Sequence, residues 1–133
     1  MRYLFDSNIL IYHFNNALSP LGRALLKEGL RHGAAMSVIT RIECLGYPYP
    51  EEPLAKAQRL LDALVEIELD ATVVARTIQL RRHRKIKIPD AIVAATALYL
   101  NLPLVTRNIR DFRGIEGLRL INPFEDTENP SDA

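Results

Sequence analysis

Short apolar runs alternate with longer stretches of helical periodicity along the chain. Arg2-Tyr3-Leu4-Phe5-Asp6 is apolar on consecutive positions, as expected of a strand covered on both faces. A helical turn is expected over Ile9–Phe14. A longer helix should open with Ser19 as N-cap and Pro20 in its first turn, with Leu21, Leu25 and Leu30 on its buried side and Gly33 at its end. Ala34–Val38 suits a second strand, followed by a helix through Arg41-Ile42-Glu43-Cys44-Leu45 that stops at Gly46 and the Tyr47-Pro48-Tyr49-Pro50 loop. Helical spacing of Leu54, Ala57, Leu60, Leu61 and Leu64 predicts a helix over Glu52–Val65, and alternation predicts a strand over Val65–Leu69. A helix from Thr72 to about Arg84 comes next. After Ile88-Pro89, Asp90–Leu100 is apolar nearly all round, the mark of a central buried helix. Pro103–Thr106 and Leu118–Ile121 read as the fourth and fifth strands. Strands alternating with helices in this way predict an α/β chain with helices on both faces of a parallel sheet. Its ligand crevice should lie at the carboxyl ends of the strands.

A length of 133 residues suits one domain, because two halves would each be too small to bury a good core. The domain is expected over residues 1–124, with residues 125–133 as an acidic flexible tail. That tail carries Glu125, Asp126, Glu128 and Asp132 and no lysine or arginine, so residues 1–124 hold 17 basic against 12 acidic side chains. The body is therefore mildly basic, which leans only modestly toward nucleic acid. The longest strongly apolar stretch, Ala91–Leu100, is about half of the ~20 residues that a bilayer crossing needs, so no membrane association is expected. One cysteine, Cys44, allows neither an internal disulfide nor a multi-cysteine zinc site, and a cytoplasmic location follows as an expectation. Adjacent to Glu43 on an apolar helix, Cys44 reads as packed core, as do Tyr3, Phe5, Met36 and Tyr99.

Candidate chemistry narrows to acids. The six glycines form neither a dinucleotide fingerprint nor a phosphate-cradling loop, and His13, His32 and His83 have no zinc-ligand spacing. Asp6 ends the first strand, Glu43 lies on the helix after the second, Asp90 opens the buried helix, and Asp111 follows the fourth strand. In a doubly wound sheet all four fall toward one edge. Two carboxylates ~5 Å apart repel by ~3 kcal/mol at an effective dielectric of ~20, so the cluster needs protonation or a hard cation. Oxygen ligands favour Mg²⁺ or Mn²⁺, and the matching reaction is phosphodiester hydrolysis. Each acid also has a structural explanation: Asp6 as a helix cap, Thr40-x-x-Glu43 as a capping box, Asp90 against a helix dipole, Asp111 as a surface ion pair.

Four ordered segments carry a family resemblance: Tyr3-Leu4-Phe5-Asp6-Ser7-Asn8-Ile9-Leu10-Ile11, Thr40-Arg41-Ile42-Glu43, Ile88-Pro89-Asp90-Ala91-Ile92-Val93-Ala94-Ala95-Thr96-Ala97, and Leu104-Val105-Thr106-Arg107-Asn108-Ile109-Arg110-Asp111-Phe112. Together they resemble PIN-domain nucleases, and VapC-type toxins most. The resemblance spans residues 1 to about 123 and implies a three-layer α/β/α sandwich with a five-stranded parallel sheet. It implies a metal-dependent endoribonuclease, the toxin of a type II toxin–antitoxin pair, that forms a homodimer and is neutralised by a cognate antitoxin. Asp6, Glu43, Asp90 and Asp111 take the acidic positions for catalysis and Mg²⁺ or Mn²⁺, with Asn8, Thr106 and Asn108 as polar supports. Relatives often place an acid where this chain has Asn108, which leaves Asp111 to act as a ligand directly or through an oriented water.

Arg81-Arg82-His83-Arg84-Lys85-Ile86-Lys87 concentrates five cations directly before Asp90. These complement a helix C-terminus, and they also suit RNA phosphates; Arg82 and Arg84, with Arg107 and Arg110 on a later loop, are the candidate RNA contacts. Tyr47 and Tyr49, between prolines, suit a shaped loop or a partner surface. Two rival readings are a non-catalytic PIN-like module that binds RNA or protein, and a haloacid-dehalogenase-like phosphatase. The second normally needs an acid where Asn8 stands.

Overall fold

Five parallel strands of two to four residues make the middle layer: β1 (Tyr3–Phe5), β2 (Ala34–Ser37), β3 (Val65–Ile67), β4 (Leu104–Val105) and β5 (Leu120–Ile121). The computed structural model describes residues 1–124; the tail expected over 125–133 lies outside the described residues. The helices are α1 (Ser7–Phe14), α2 (Pro20–His32), α3 (Val38–Leu45), α4 (Glu51–Asp62), α5 (Ala71–His83), α6 (Ile88–Leu100) and α7 (Ile109–Phe112).

Successive strand residues point to opposite faces, and the two cores follow from this. Phe5, Met36 and Val105 join Ile9, Leu10, Leu26, Cys44 and Leu61, so helices α1 to α4 cover one face. Leu4, Ala35 and Leu104 join Val93, Ala94, Ala97 and Phe112, so α6 and α7 cover the other. Helix α5 packs on α6 through Val73 against Ile92 and Ala95. The parallel sheet with helices on both faces, expected from the alternating pattern, and the three-layer sandwich implied by the resemblance are what the chain adopts. As expected, α6 is central, with every residue from Ala91 to Ala97 buried.

Several local expectations need correction. The buried stripe of α2 is Gly22, Leu26 and Gly29, whereas Leu21 and Leu30 are exposed and Leu25 is half-buried. The cause is close approach: a Cβ on Gly29 would stand 2.9 Å from both the Phe5 ring and Ala34 Cβ. Tyr99 is exposed, because α6 buries its middle turns and emerges at its C-terminus. Helix α3 begins at Val38, two residues before the supposed capping box: Ser37 is the N-cap and its side chain accepts from Ile39 N–H, leaving Thr40 inside the helix. The one-turn helix α7 was not expected.

The strand order β3-β2-β1-β4-β5 has a direct consequence for function. The chain winds outward from β1 through β2 to β3, then returns to the other side of β1 for β4. Crossovers therefore diverge between β1 and β4, and a crevice opens at the carboxyl ends of these two strands. Asp6 and Thr106 are the residues that follow them.

Candidate active site

Asp6 is both cap and crevice residue. As the N-cap of α1 its Oδ1 accepts from Ser7 N–H at 2.9 Å, so its structural explanation is correct as far as it goes. Its other oxygen, Oδ2, accepts from the Thr106 hydroxyl at 2.9 Å and the Asn8 side-chain amide at 3.3 Å. Asn8 also donates to Thr106 Oγ1 (3.1 Å) and accepts from Arg107 N–H (3.2 Å), while Asn108 N–H donates to Thr106 Oγ1 (3.0 Å). One hydrogen-bonded network thus joins the ends of β1 and β4, and all three expected polar supports, Asn8, Thr106 and Asn108, belong to it. Asp6 is 5% exposed, and its pKa rises from 3.8 to about 6. Burial is the largest cause; the Thr106 and Ser7 bonds oppose it, and the charges of Asp90 and Glu43 add to it.

The other acids arrive from three separate helices. Asp90 sits half-buried in the first turn of α6, where the helix dipole favours its charge. Its pKa is nevertheless raised, first by burial and then by Asp111 and Glu43. Glu43 is exposed on α3, and Asp111 is exposed on α7, where its Oδ2 accepts from the Asn108 amide at 3.1 Å. The buried ring of Phe112 anchors α7. All four acids therefore share one electrostatic neighbourhood, but it differs from the tight cluster expected. Desolvation outweighs mutual repulsion at Asp6 and Asp90. Among the described residues, no three acidic, imidazole or thiol groups stand close enough to hold one ion. Asp6 is turned toward its hydrogen-bond donors and Asp111 toward Asn108.

The donor set still suits a hard cation. Every side chain offered is a carboxylate, and Mg²⁺ is usually held by only one or two carboxylates plus waters and substrate oxygens, without an all-protein cage. Beside the acids lies a cleft of about 390 Å³ lined by Asp90 and Asp111 together with Arg81, Arg84, Lys85, Lys87 and Arg110. A groove of about 870 Å³ between α1, α2 and α4 is larger but holds none of these acids.

Of the four cations singled out, Arg84 and Arg110 line the cleft and Arg82 does not. Arg81, Lys85 and Lys87 take its place; their nearness to Asp90 in sequence was the available signal. Arg84 is engaged by protein, its Nη2 donating to the carbonyls of Asp111 (3.3 Å) and Arg113 (3.2 Å). Arg107 lies over the Phe124 ring at 4.1 Å and the Tyr12 ring at 5.3 Å, and its Nη1 donates to the Tyr12 hydroxyl at 3.1 Å. Neither Tyr12 nor Phe124 carried a sequence signal. Cys44 is fully buried and its thiol is pushed up to about 12 by burial, then by Glu43 and Asp6, which removes it from chemistry.

A family model described as the PIN domain matches residues 3–118. The fold also matches solved structures. A toxin–antitoxin complex from Klebsiella pneumoniae aligns at 33% identity and TM-score 0.78, over 92% of this chain and 98% of that chain. VapBC2 from Rickettsia felis, bound to a DNA fragment from its promoter, aligns at 26% identity and TM-score 0.74, over 92% and 98%. DNA-bound VapBC from Salmonella typhimurium aligns at 23% identity and TM-score 0.78, over 91% and 97%, a likeness of fold. No curated protein matches the chain in sequence.

Proposed function

This chain belongs to the PIN-domain family, and on that footing we propose that it is a Mg²⁺- or Mn²⁺-dependent endoribonuclease, the VapC-like toxin of a type II toxin–antitoxin pair. The observation that carries the reading is the placement of Asp6 at the β1/β4 crevice, hydrogen-bonded to Thr106 across it, with Asp90 and Glu43 near enough to raise its pKa and with Asp90 and Asp111 lining the adjoining basic cleft. Asp6 and Asp90 are the principal metal ligands. Asp111 ligates directly or through water, and Glu43 serves as a ligand or as the base that orients the attacking water. A divalent ion bound there supplies an acidified water and offsets charge developing on the phosphoryl oxygens.

The chain's own groups do the rest. Thr106, Asn8 and Ser7 hold the Asp6 carboxylate in one orientation, so little freedom is lost on loading. Arg81, Lys85, Lys87 and Arg110 hold backbone phosphates of single-stranded or loop RNA against the acids. Their charge also draws the polyanion in, which a lone acidic crevice would repel. The toxin–antitoxin and VapBC neighbours support a protein antitoxin as partner. A homodimer acting in the cytoplasm completes the reading. Among the described residues no helix is long and apolar enough to cross a membrane.

The test is cleavage of single-stranded and folded RNAs by the full chain with Mg²⁺, Mn²⁺ or chelator. The expected result is cut RNA with either ion, none with chelator, and none from a folded Asp6→Asn variant. Metal-independent cleavage, or full activity in that variant, would overturn the assignment. Normal binding of RNA without turnover would favour the non-catalytic module.

A further inference from the structure

Next to the acid cleft lies a second cavity of about 300 Å³, lined by Gln79, Leu80 and His83 of α5, by Arg84, and by Gly114, Ile115 and Glu116 after α7. Arg84 lines both cavities and is the wall between them. Its Nη2 is fixed to the carbonyls of Asp111 and Arg113, so the wall is held in place, and its Nε is buried without a hydrogen-bond partner. An RNA strand whose phosphate rests among the cations of the cleft would bring a neighbouring base to this second cavity. We infer that the cavity beyond Arg84 is a nucleobase subsite that selects guanine next to the cleaved bond. The inference rests on the nuclease reading above.

Size, lining and hydrogen-bonding capacity all point the same way. The volume is at the small end of the ~300–1,000 Å³ range usual for small-molecule sites, which suits one base better than a helix or a larger ligand. Buried Ile115 and half-buried Leu80 offer apolar surface to a ring face. Gly114, at φ +91°, holds a backbone conformation that other residues rarely adopt, so this part of the lining carries no side chain. Glu116 and Gln79 are exposed, and their side chains make no hydrogen bond or ion pair among the described residues. Their polar atoms therefore remain available to a ligand. An ionised carboxylate only accepts, and among the four RNA bases guanine alone presents two adjacent donors, N1–H and the N2 amino group, on its Watson–Crick edge. Adenine, cytosine and uracil each offer one such donor group. The Gln79 amide, both donor and acceptor, can serve the guanine O6 or N7. Arg84, in the wall of the same cavity, offsets the repulsion that Glu116 would otherwise exert on RNA phosphates.

The experiment is a set of amide chemical-shift titrations of the full chain with the four nucleoside 5′-monophosphates. Guanosine monophosphate should move the amides of Leu80, Arg84, Gly114, Ile115 and Glu116, and bind roughly tenfold more tightly than the other three, as one good bidentate base contact implies. Glu116→Gln, at an exposed position, should fold normally and bring the four nucleotides within about twofold of one another. Equal binding of all four by the wild-type chain, shifts confined to the acid cleft, or a preference that survives Glu116→Gln would each overturn the proposal. The nuclease reading fails separately: a chain that binds guanosine monophosphate here but cuts no RNA retains the pocket and loses the reaction. Cleavage with equal efficiency at all four flanking bases retains the reaction and removes the pocket.

Discussion

In metal-free protein at pH 8, Asp6→Asn is expected to stabilise the fold by about 1–2 kcal/mol, although it removes a proposed metal ligand. The perturbation neutralises a carboxylate that is 5% exposed and whose pKa rises from 3.8 to about 6 on folding. At about 1.4 kcal/mol per pH unit of that rise, the ionised form is less favourable in the folded chain by about 3 kcal/mol. Asparagine removes this penalty but keeps a single acceptor oxygen: with that oxygen on the Thr106 hydroxyl and Asn8 amide, its nitrogen faces the Ser7 N–H and the cap bond is lost, about 1–1.5 kcal/mol. The sign follows from linkage. Below pH 3.8 Asp6 is protonated in both states and carries no penalty; the penalty grows as pH rises and is complete above about pH 6. The variant should therefore be slightly less stable than wild type near pH 4 and more stable at pH 8, with the crossing between. Urea unfolding with chelator across that range measures it. With Mn²⁺ at about 100 times its dissociation constant, wild type should gain about 2.7 kcal/mol and the variant much less, reversing the order. A variant that is less stable at pH 8 without metal, or a stability difference independent of pH, would refute the reasoning.

Three further outcomes follow from separate parts of the structure. Arg81→Gln with Lys87→Gln should weaken RNA binding and make log K versus log salt shallower by about 1–2, whereas Arg82→Gln, outside the cleft, should leave both nearly unchanged; filter binding at several salt concentrations reads this. Phe112→Ala should cost about 3–5 kcal/mol in chemical denaturation and, by loosening α7, weaken Mn²⁺ uptake measured calorimetrically. Cys44, fully buried with its thiol pushed up to about 12, should resist a thiol reagent at pH 8 in the native state and react at once in denaturant; native labelling at the rate of a free thiol would contradict its burial.

The fold was legible wherever local chemistry and tertiary packing agree. Ser19 bounds α2 through its hydroxyl, which accepts from Gly22 N–H, and Gly33 ends it through the backbone freedom that allows φ +100°. The run after Pro89 is buried because it has no polar face to present. Periodicity misleads at Leu21 and Leu30, because it ranks positions by apolar character alone. The face that packs is chosen by how closely a helix can approach, and Gly22 and Gly29 decide that without being hydrophobic. Tyr99 shows the same limit from the other side: a helix can be central over its middle and still leave its last turn outside the core.

The candidate site divides along a physical line. Which acids approach one another is a matter of topology: Asp6 follows β1, Asp111 lies on the short helix after β4, and Asp90 and Glu43 come from α6 and α3. What each acid experiences there depends on solvent exclusion and on individual hydrogen bonds, which spacing does not encode. Charge counting assigned the strain to repulsion, yet the shifts at Asp6 and Asp90 come first from burial. This changes what a cation must do. Where repulsion dominates, any nearby positive charge relieves the cluster, and the cleft's arginines and lysines would suffice. Where desolvation dominates, the relief has to replace lost water at the carboxylate itself. A hydrated divalent ion does this by direct coordination, while a lysine across a cleft does not. The basic lining and the acidic crevice therefore serve different purposes, one for the phosphates of the strand and the other for the ion that activates water.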